Sequence, residues 1–376
     1  MTDDEPTLRH IEGRELPDED IFVPVVEEVA RPWPVRLVYF VIGLALFVTA
    51  LGLMKEGSTE LIGTLEGSVF TDNAWSTLGL GWLGACIVLS GSPMAASSLA
   101  LLEGGAIDRD QAFTMLTGSR LGAAFVVLVA GVIYALRKSH EGSRRAPVSI
   151  GVLSLLMTAM VYVPGAMAGY LLLDWGAFDA LDIGTSPSLT SFTDEAFGWA
   201  VELMRAVAPD SLLFPVGLIV LLIGFSAFDR SLPAMTGDRL ETEDSWYTRK
   251  WPMFLVGCGV TLLTLSVAVS LTLLVPLVAK GRLRRANTLP YIAGANITTL
   301  ADTLVAAIVL GNQDGVRVVV AVTVTVTVWT LLLLTFAYPA LRRACLGIAQ
   351  WALGSQRRLA GFAAVLFVVP ITLIAI

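Results

Sequence analysis

Ionisable chemistry is thin in this chain. Of its 376 residues only 15% are charged, two are histidine (His10 and His140) and three are cysteine (Cys86, Cys258 and Cys345). Two histidines so peripheral and so far apart give no basis for a histidine metal site or histidine acid–base chemistry. The cysteines lie in or beside apolar stretches without metal-ligand spacing, so they read as small core residues. Nothing resembles a catalytic triad, a P-loop or a nucleic-acid surface. With no nucleophile–base set, the chain is not expected to be an enzyme or to carry a cofactor. Gly79-Leu-Gly-Trp-Leu-Gly84 fits the dinucleotide fingerprint letter for letter, with Glu103 behind it. No strand pattern precedes it, so it reads as glycine-mediated helix packing. An export leader of the positive-then-apolar form is also missing. Residues 1–31 instead hold ten acidic and three basic residues and read as a solvated cytoplasmic tail.

Apolar sequence fills the rest. Mean hydropathy is +0.73 and 55% of residues are hydrophobic, which excludes an ordinary soluble globule. Apolar runs of about 20 residues, the length of a bilayer-crossing helix, fall at 33–54, 75–103, 111–136, 147–173, 211–235, 251–278, 288–311, 316–340 and 359–376. Val322 to Thr327, an alternation of valine and threonine, is patterned like a strand. Helix is still expected there, because an open strand in lipid would leave its backbone polar groups unsatisfied. The expected fold is therefore an all-α polytopic membrane protein.

Two of these stretches read as one module written twice. Leu89-Ser-Gly-Ser-Pro-Met-Ala-Ala-Ser-Ser98 is followed by a turn at Gly105 and by Gly118-Ser-Arg120. Leu265-Ser-Val-Ala-Val-Ser-Leu-Thr272 is followed by a turn at Gly281 and by Gly294-Ala-Asn-Ile-Thr-Thr299. Repeated polar segments at membrane depth mark the binding site of a secondary transporter. The basic residues give the direction of each copy, since lysine and arginine gather in cytoplasmic loops. If 75–103 crossed the membrane completely, Arg137, Lys138, Arg144 and Arg145 would lie outside. If 75–103 and 251–278 are instead re-entrant hairpins, broken near Gly91 and Pro93 in the first, most of the 25 lysines and arginines fall inside. The acidic loop 103–110 is then outside and its basic counterpart 280–285 inside, so the two repeats are inverted. The expected organisation is an acidic cytoplasmic tail (1–32), transmembrane repeat 1 (33–173), an extracellular loop (174–210), inverted transmembrane repeat 2 (211–340) and a final segment (341–376). That last segment holds a short interfacial helix over 341–356 and one more transmembrane helix. A second interfacial helix is expected over Asp194 to Val207.

Residue types at the bends and at membrane depth nominate a site. Ser90, Ser92, Ser97 and Ser98, with Ser266, Ser270 and Thr272, offer hydroxyls beside broken helix ends, where an anion or a sodium ion finds partners. Each serine taken singly also has a packing explanation. Asn296, Thr298 and Thr299 lie a turn or two inside the membrane, where the alternative to ligand binding is a helix–helix hydrogen bond. Arg120 lies about 14 Å into its helix and Asp302 about 21 Å into its own, at 1.5 Å per residue. Charges that deep are costly and find partners or functions. Arg120 fits an anion through its forked donors, and Asp302 fits a cation. A structural ion pair between the repeats is the competing reading.

These motifs resemble those of the type II sodium–phosphate cotransporter family, whose repeats pair a Gln-Ser-Ser-Ser segment with Gly-Ala-Asn-Ile-Gly-Thr-Thr. Gly294-Ala-Asn-Ile-Thr-Thr299 keeps the second motif with Thr298 in place of a glycine. Leu89 and Leu265 stand where the family has glutamine. Ser90-Gly91-Ser92 and Ser266-Val267-Ala268 replace the serine triplets, and Arg120 stands at the first repeat's asparagine position. The resemblance implies sodium-coupled symport of inorganic phosphate or a similar small anion across the cell membrane, with sodium as the coupling ion. Phosphate would be expected at Ser90, Ser92, Ser266, Arg120, Asn296, Thr298 and Thr299. Sodium would be expected at Ser97, Ser270, Thr272 and Asp302. Two rivals stay open: coupling to protons through Asp302, and a membrane scaffold or sensor that kept the fold without transport. The lipid bilayer is the expected environment, and self-association is left open.

Overall fold

The computed structural model describes residues 32–65, 68–137, 145–181, 198–207, 209–231, 249–281 and 283–376. The acidic tail 1–31, most of the loop 137–145 and residues 182–197 lie outside the described residues, so the tail expectation has no structural counterpart here. Helix is the only regular structure among the described residues. That follows from the solvent: in lipid a helix satisfies its own backbone and an open strand does not. The alternation from Val322 to Thr327 accordingly lies inside a helix, Gln313–Leu332.

In chain order the helices are α1 (Trp33–Leu65), α2 (Ala74–Val88), α3 (Gly91–Glu103), α4 (Arg109–Ala123), α5 (Phe125–Arg137), α6 (Arg145–Asp174), α7 (198–207) and α8 (Asp210–Ser231). There follow α9 (Lys250–Thr264), α10 (Val267–Thr272), α11 (Leu274–Ala279), α12 (Arg285–Thr298), α13 (Leu300–Leu310), α14 (Gln313–Leu332), α15 (Tyr338–Leu353) and α16 (Gln356–Ala375). Among the described residues, seven helical stretches are long and apolar enough to cross a bilayer. Their outer faces carry large exposed apolar side chains, such as Phe40, Ile223, Val324 and Val368. An exposed apolar surface of that extent belongs against lipid. The chain is a multi-pass, all-α membrane protein.

The expected hairpins are present. At 15 residues, α2 spans about 22 Å, short of the ~30 Å hydrocarbon core. It starts beside the start of α4: Gln111 Nε2 donates to the Thr71 carbonyl at 2.7 Å, and Thr77 and Thr114 share a hydrogen bond of 2.8 Å. Further along, Gly118 packs on Leu78 and Gly122 on Trp82, so α2 and α4 run parallel. Helix α3 runs back beside this pair. Its first residue, Gly91, touches Ser119 and Ala123 near the end of α4, and the loop Gly104–Asp108 joins its last residue to the start of α4. In the second half, α9 packs along α12 with the same parallel register.

The two halves repeat at a constant offset of 176 positions. The α2/α4 pair needs glycine at 81 and 118, because a Cβ at either would collide with the carbonyl oxygen of Met115 or Leu78. At 257 and 294 the same need arises against the carbonyls of Tyr291 and Phe254, each 176 positions on. Both hairpins bend at the same place. Leu89 (φ 57°) and Leu265 (φ 49°) are the non-glycine residues in the left-handed region among the described residues, a conformation that costs an L residue roughly 1–2 kcal/mol. Residues 338–353 are helical, and a π-helical turn over Leu333–Ala337 joins them to α14. The carbonyl this turn diverts, that of Leu334, accepts from Lys250 Nζ at 2.6 Å. Helix α1 also runs on to Leu65 rather than ending near 54. Its extra turns are held by Lys55–Glu103 at 2.8 Å and by Ser58 Oγ donating to the Ala100 carbonyl at 3.1 Å.

Candidate functional site

Both bends open on one small cavity. Its walls are Ser90, Gly91 and Ser92 from the first bend, Ser266, Val267 and Ala268 from the second, and Arg120, Ala123 and Thr299 between them. The space takes the centre of a water-sized sphere over about 10 Å3, room for about one water. Left-handed turns at Leu89 and Leu265 produce this convergence. Each stops one helix and starts the next within a residue or two, so the first residues of α3 and α10 line the gap. Ser90 is the N-cap of α3 but its hydroxyl makes no capping bond, which leaves it available to a ligand. Ser266 is engaged: its Oγ accepts from the Val269 N–H at 3.3 Å.

Arg120, near the end of α4, supplies the charge. It is 3% exposed and reaches across to the second repeat, where Nη1 donates to Thr299 Oγ1 at 3.2 Å and Nη2 donates to Thr303 Oγ1. Nη2 also lies 3.6 Å from Asp302 Oδ1. The carboxylate oxygen that faces Arg120 accepts from Thr303 Oγ1 at 2.8 Å. Yet the cluster is incomplete: Arg120 Nε and Asp302 Oδ2 are buried with no hydrogen-bond partner among the described residues. Buried donors and acceptors in a native fold are nearly always matched, and an unmatched pair beside a cavity is where a ligand or water would complete the set.

The structure sorts the expected residues into three groups. Ser90, Ser92, Ser266, Arg120 and Thr299 come together on the cavity, with Asp302 behind Arg120. Asn296 does not line it. Its Nδ2 donates to Thr158 Oγ1 on α6 at 3.0 Å, and its carbonyl accepts from Tyr162 Oη at 2.7 Å, the helix–helix bond that was its alternative. Thr298 bonds back to the Gly294 carbonyl at 3.2 Å. The hydroxyls expected around sodium make hydrogen bonds within their own hairpins. Ser97 donates to the Pro93 carbonyl (2.8 Å), Thr272 to the Val269 carbonyl (3.0 Å), and Ser270 joins Thr261 (2.6 Å) and Tyr291 (2.9 Å). None of these three lines the cavity beside Asp302. Among the described residues no three His, Cys, Asp or Glu side chains gather as a metal site. Thr303 escaped the sequence reading. Its signal was available: it follows Thr299 by four positions, hence shares a helix face with it, and adjoins Asp302.

Broken hairpins facing each other, with a buried arginine between them, in a chain of membrane-spanning helices, define a polytopic membrane protein with its polar site at the repeat interface. Residues 220–376 match the family model described as Na+/Pi-cotransporter. The matched part holds the second hairpin, α12 and α13. Comparison with curated proteins and with solved structures gives no match.

Proposed function

We propose that this protein is a secondary transporter that carries inorganic phosphate, or a similar small anion, with sodium across the cell membrane. The observation that carries the reading is the cavity itself: two repeat-equivalent bends and one buried guanidinium converge on it. Arg120 offers the anion a positive charge and hydrogen-bond donors. Ser90, Ser92 and the first-turn N–H groups of α3 supply neutral donors, and Ser266 approaches from the other repeat. The space is too small for phosphate as it stands, so the bends must part to admit it. Opening alternately to the two sides is what inverted repeats accomplish. The basic residues support the inversion, with the N-terminus, 137–146 and 279–287 cytoplasmic and with 103–110 and 174–210 outside.

A second reading has one observation behind it. Asp302 Oδ2 is buried and unpartnered, which makes it a place for a proton, and a proton could then replace sodium as the driving ion. Purified protein in liposomes decides between them. Radiolabelled phosphate should accumulate under an inward sodium gradient and not under a pH gradient in sodium-free medium. The opposite pattern selects proton coupling. No accumulation under either gradient contradicts transport and leaves a scaffold that kept the fold.

A further inference from the structure

Arg120 crosses from the first repeat into a nest of second-repeat oxygens. Thr299 Oγ1 and Thr303 Oγ1 accept from its two Nη groups, and Asp302 Oδ1 stands 3.6 Å from Nη2. All four side chains belong to buried residues, at 2 to 7% exposure. Two hydroxyl oxygens and a carboxylate are hard donors, the kind that hold cations such as sodium, magnesium or calcium.

Two features set this nest apart from an ordinary arginine–carboxylate bridge. The first is its grip. An arginine and a carboxylate built for each other meet at two parallel bonds, whereas here a single carboxylate oxygen faces the guanidinium and Oδ2 is left buried without a partner. Convergence of one oxygen from each of three side chains suits a small sphere better than a planar fork. The second is its one-sidedness. In the first repeat, 176 positions earlier, Ala123, Val126 and Val127 replace Thr299, Asp302 and Thr303. Conversely, the second repeat has neutral Asn296 where the first has Arg120. The oxygens and the positive charge therefore belong to different repeats and meet only in the folded chain.

We propose that Thr299, Asp302 and Thr303 form a cage for an alkali-metal cation, and that this chain fills the cage with Arg120 as a tethered counter-cation. Part of the positive charge that balances a bound anion is then supplied by the protein rather than drawn from the medium. The inference goes beyond the transport reading, and its test uses neither phosphate nor a gradient, so either can fail alone.

Removing the tether should uncover the cage. Melting of wild type, Arg120→Gln, Arg120→Lys and Arg120→Gln/Asp302→Asn is compared in sodium chloride and in choline chloride at equal ionic strength. Arg120→Gln should gain a sodium-specific rise in Tm of about 2–4 °C beyond that of wild type. Arg120→Lys, which keeps a tethered charge, should not gain it, and Asp302→Asn should abolish it. Folding of Arg120→Gln only when sodium is present counts as the same gain. A sodium response equal to that of wild type, a gain that survives Asp302→Asn, or aggregation of Arg120→Gln in both salts overturns the proposal.

Discussion

Position 120 in the first repeat is arginine and its counterpart in the second, 296, is asparagine; the surroundings of the two side chains show how one fold came to hold two chemistries. Arg120 leaves its own repeat and bonds to Thr299 and Thr303 of the other. Asn296 likewise crosses the repeat boundary, but toward α6, where Thr158 holds its amide. A similar divergence separates the cores of the two hairpins. In the first, Ala85, Met94 and Met115 pack together as an apolar cluster. At the equivalent positions the second has Thr261, Ser270 and Tyr291, linked by hydrogen bonds of 2.6 and 2.9 Å. What both halves retain is the geometry: the glycines at 81 and 257 and at 118 and 294, and the left-handed residues at 89 and 265. Backbone constraints preserve the shape of a repeat, while its side chains are free to divide the work.

The largest effect should come from breaking the comparison at 120 and 296. Arg120→Leu strands a buried carboxylate and should cost about 3–5 kcal/mol of stability, together with all uptake. Adding Asp302→Leu should recover much of the stability and none of the uptake. Asn296→Leu should cost only about 1 kcal/mol, the worth of an interhelical hydrogen bond in a membrane protein, and leave uptake measurable. Thermal melts beside liposome uptake read both; equal uptake loss at 120 and 296 would erase the distinction.

A smaller contrast separates the two bend serines. Ser90→Ala and Ser266→Ala should each lower phosphate uptake by roughly tenfold, the scale of one hydrogen bond to a charged ligand. Only Ser266→Ala should also melt earlier, since Ser266 caps a helix and Ser90 does not; the lost cap is worth about 1 kcal/mol. Near wild-type uptake in the double variant would assign both serines to packing. Smallest of all is the difference between the hairpin cores. Tyr291→Phe leaves Ser270 short of a partner and should cost about 1 kcal/mol, whereas Met115→Leu, nearly volume-conserving, should cost less. Equal melting of these two variants would show that the hydroxyl chain adds nothing to the second hairpin.

Much of this was legible in the chain. The Leu89/Leu265 offset marked the bends, and charge placement demanded hairpins that the contacts of Gln111 and Thr114 bear out. Buried charge singled out Arg120 and Asp302, because lipid penalises both wherever they lie. Partner choice was less accessible. Spacing fixes which residues share a helix face, but not how that face is rotated against a helix from another part of the chain. Asn296 therefore could not be allotted to Thr158 rather than to the cavity, and Ser270 could not be allotted to Tyr291. The π turn at Leu333–Ala337 was invisible for a related reason: the arginine pairs beyond it, Arg342-Arg343 and Arg357-Arg358, carry no sign of how the segment joins α14, where Lys250 of another helix binds the Leu334 carbonyl.

The central claim is that both bends serve one anion site. It is tested most directly in a cysteine-free background carrying Ser90→Cys or Ser266→Cys, by following the rate of thiol alkylation with and without phosphate. The account predicts that phosphate slows alkylation at both positions, with the same concentration for half protection, and that Arg120→Leu removes the protection from both. Protection at one bend alone, or different half-protection concentrations at the two, would contradict a shared site.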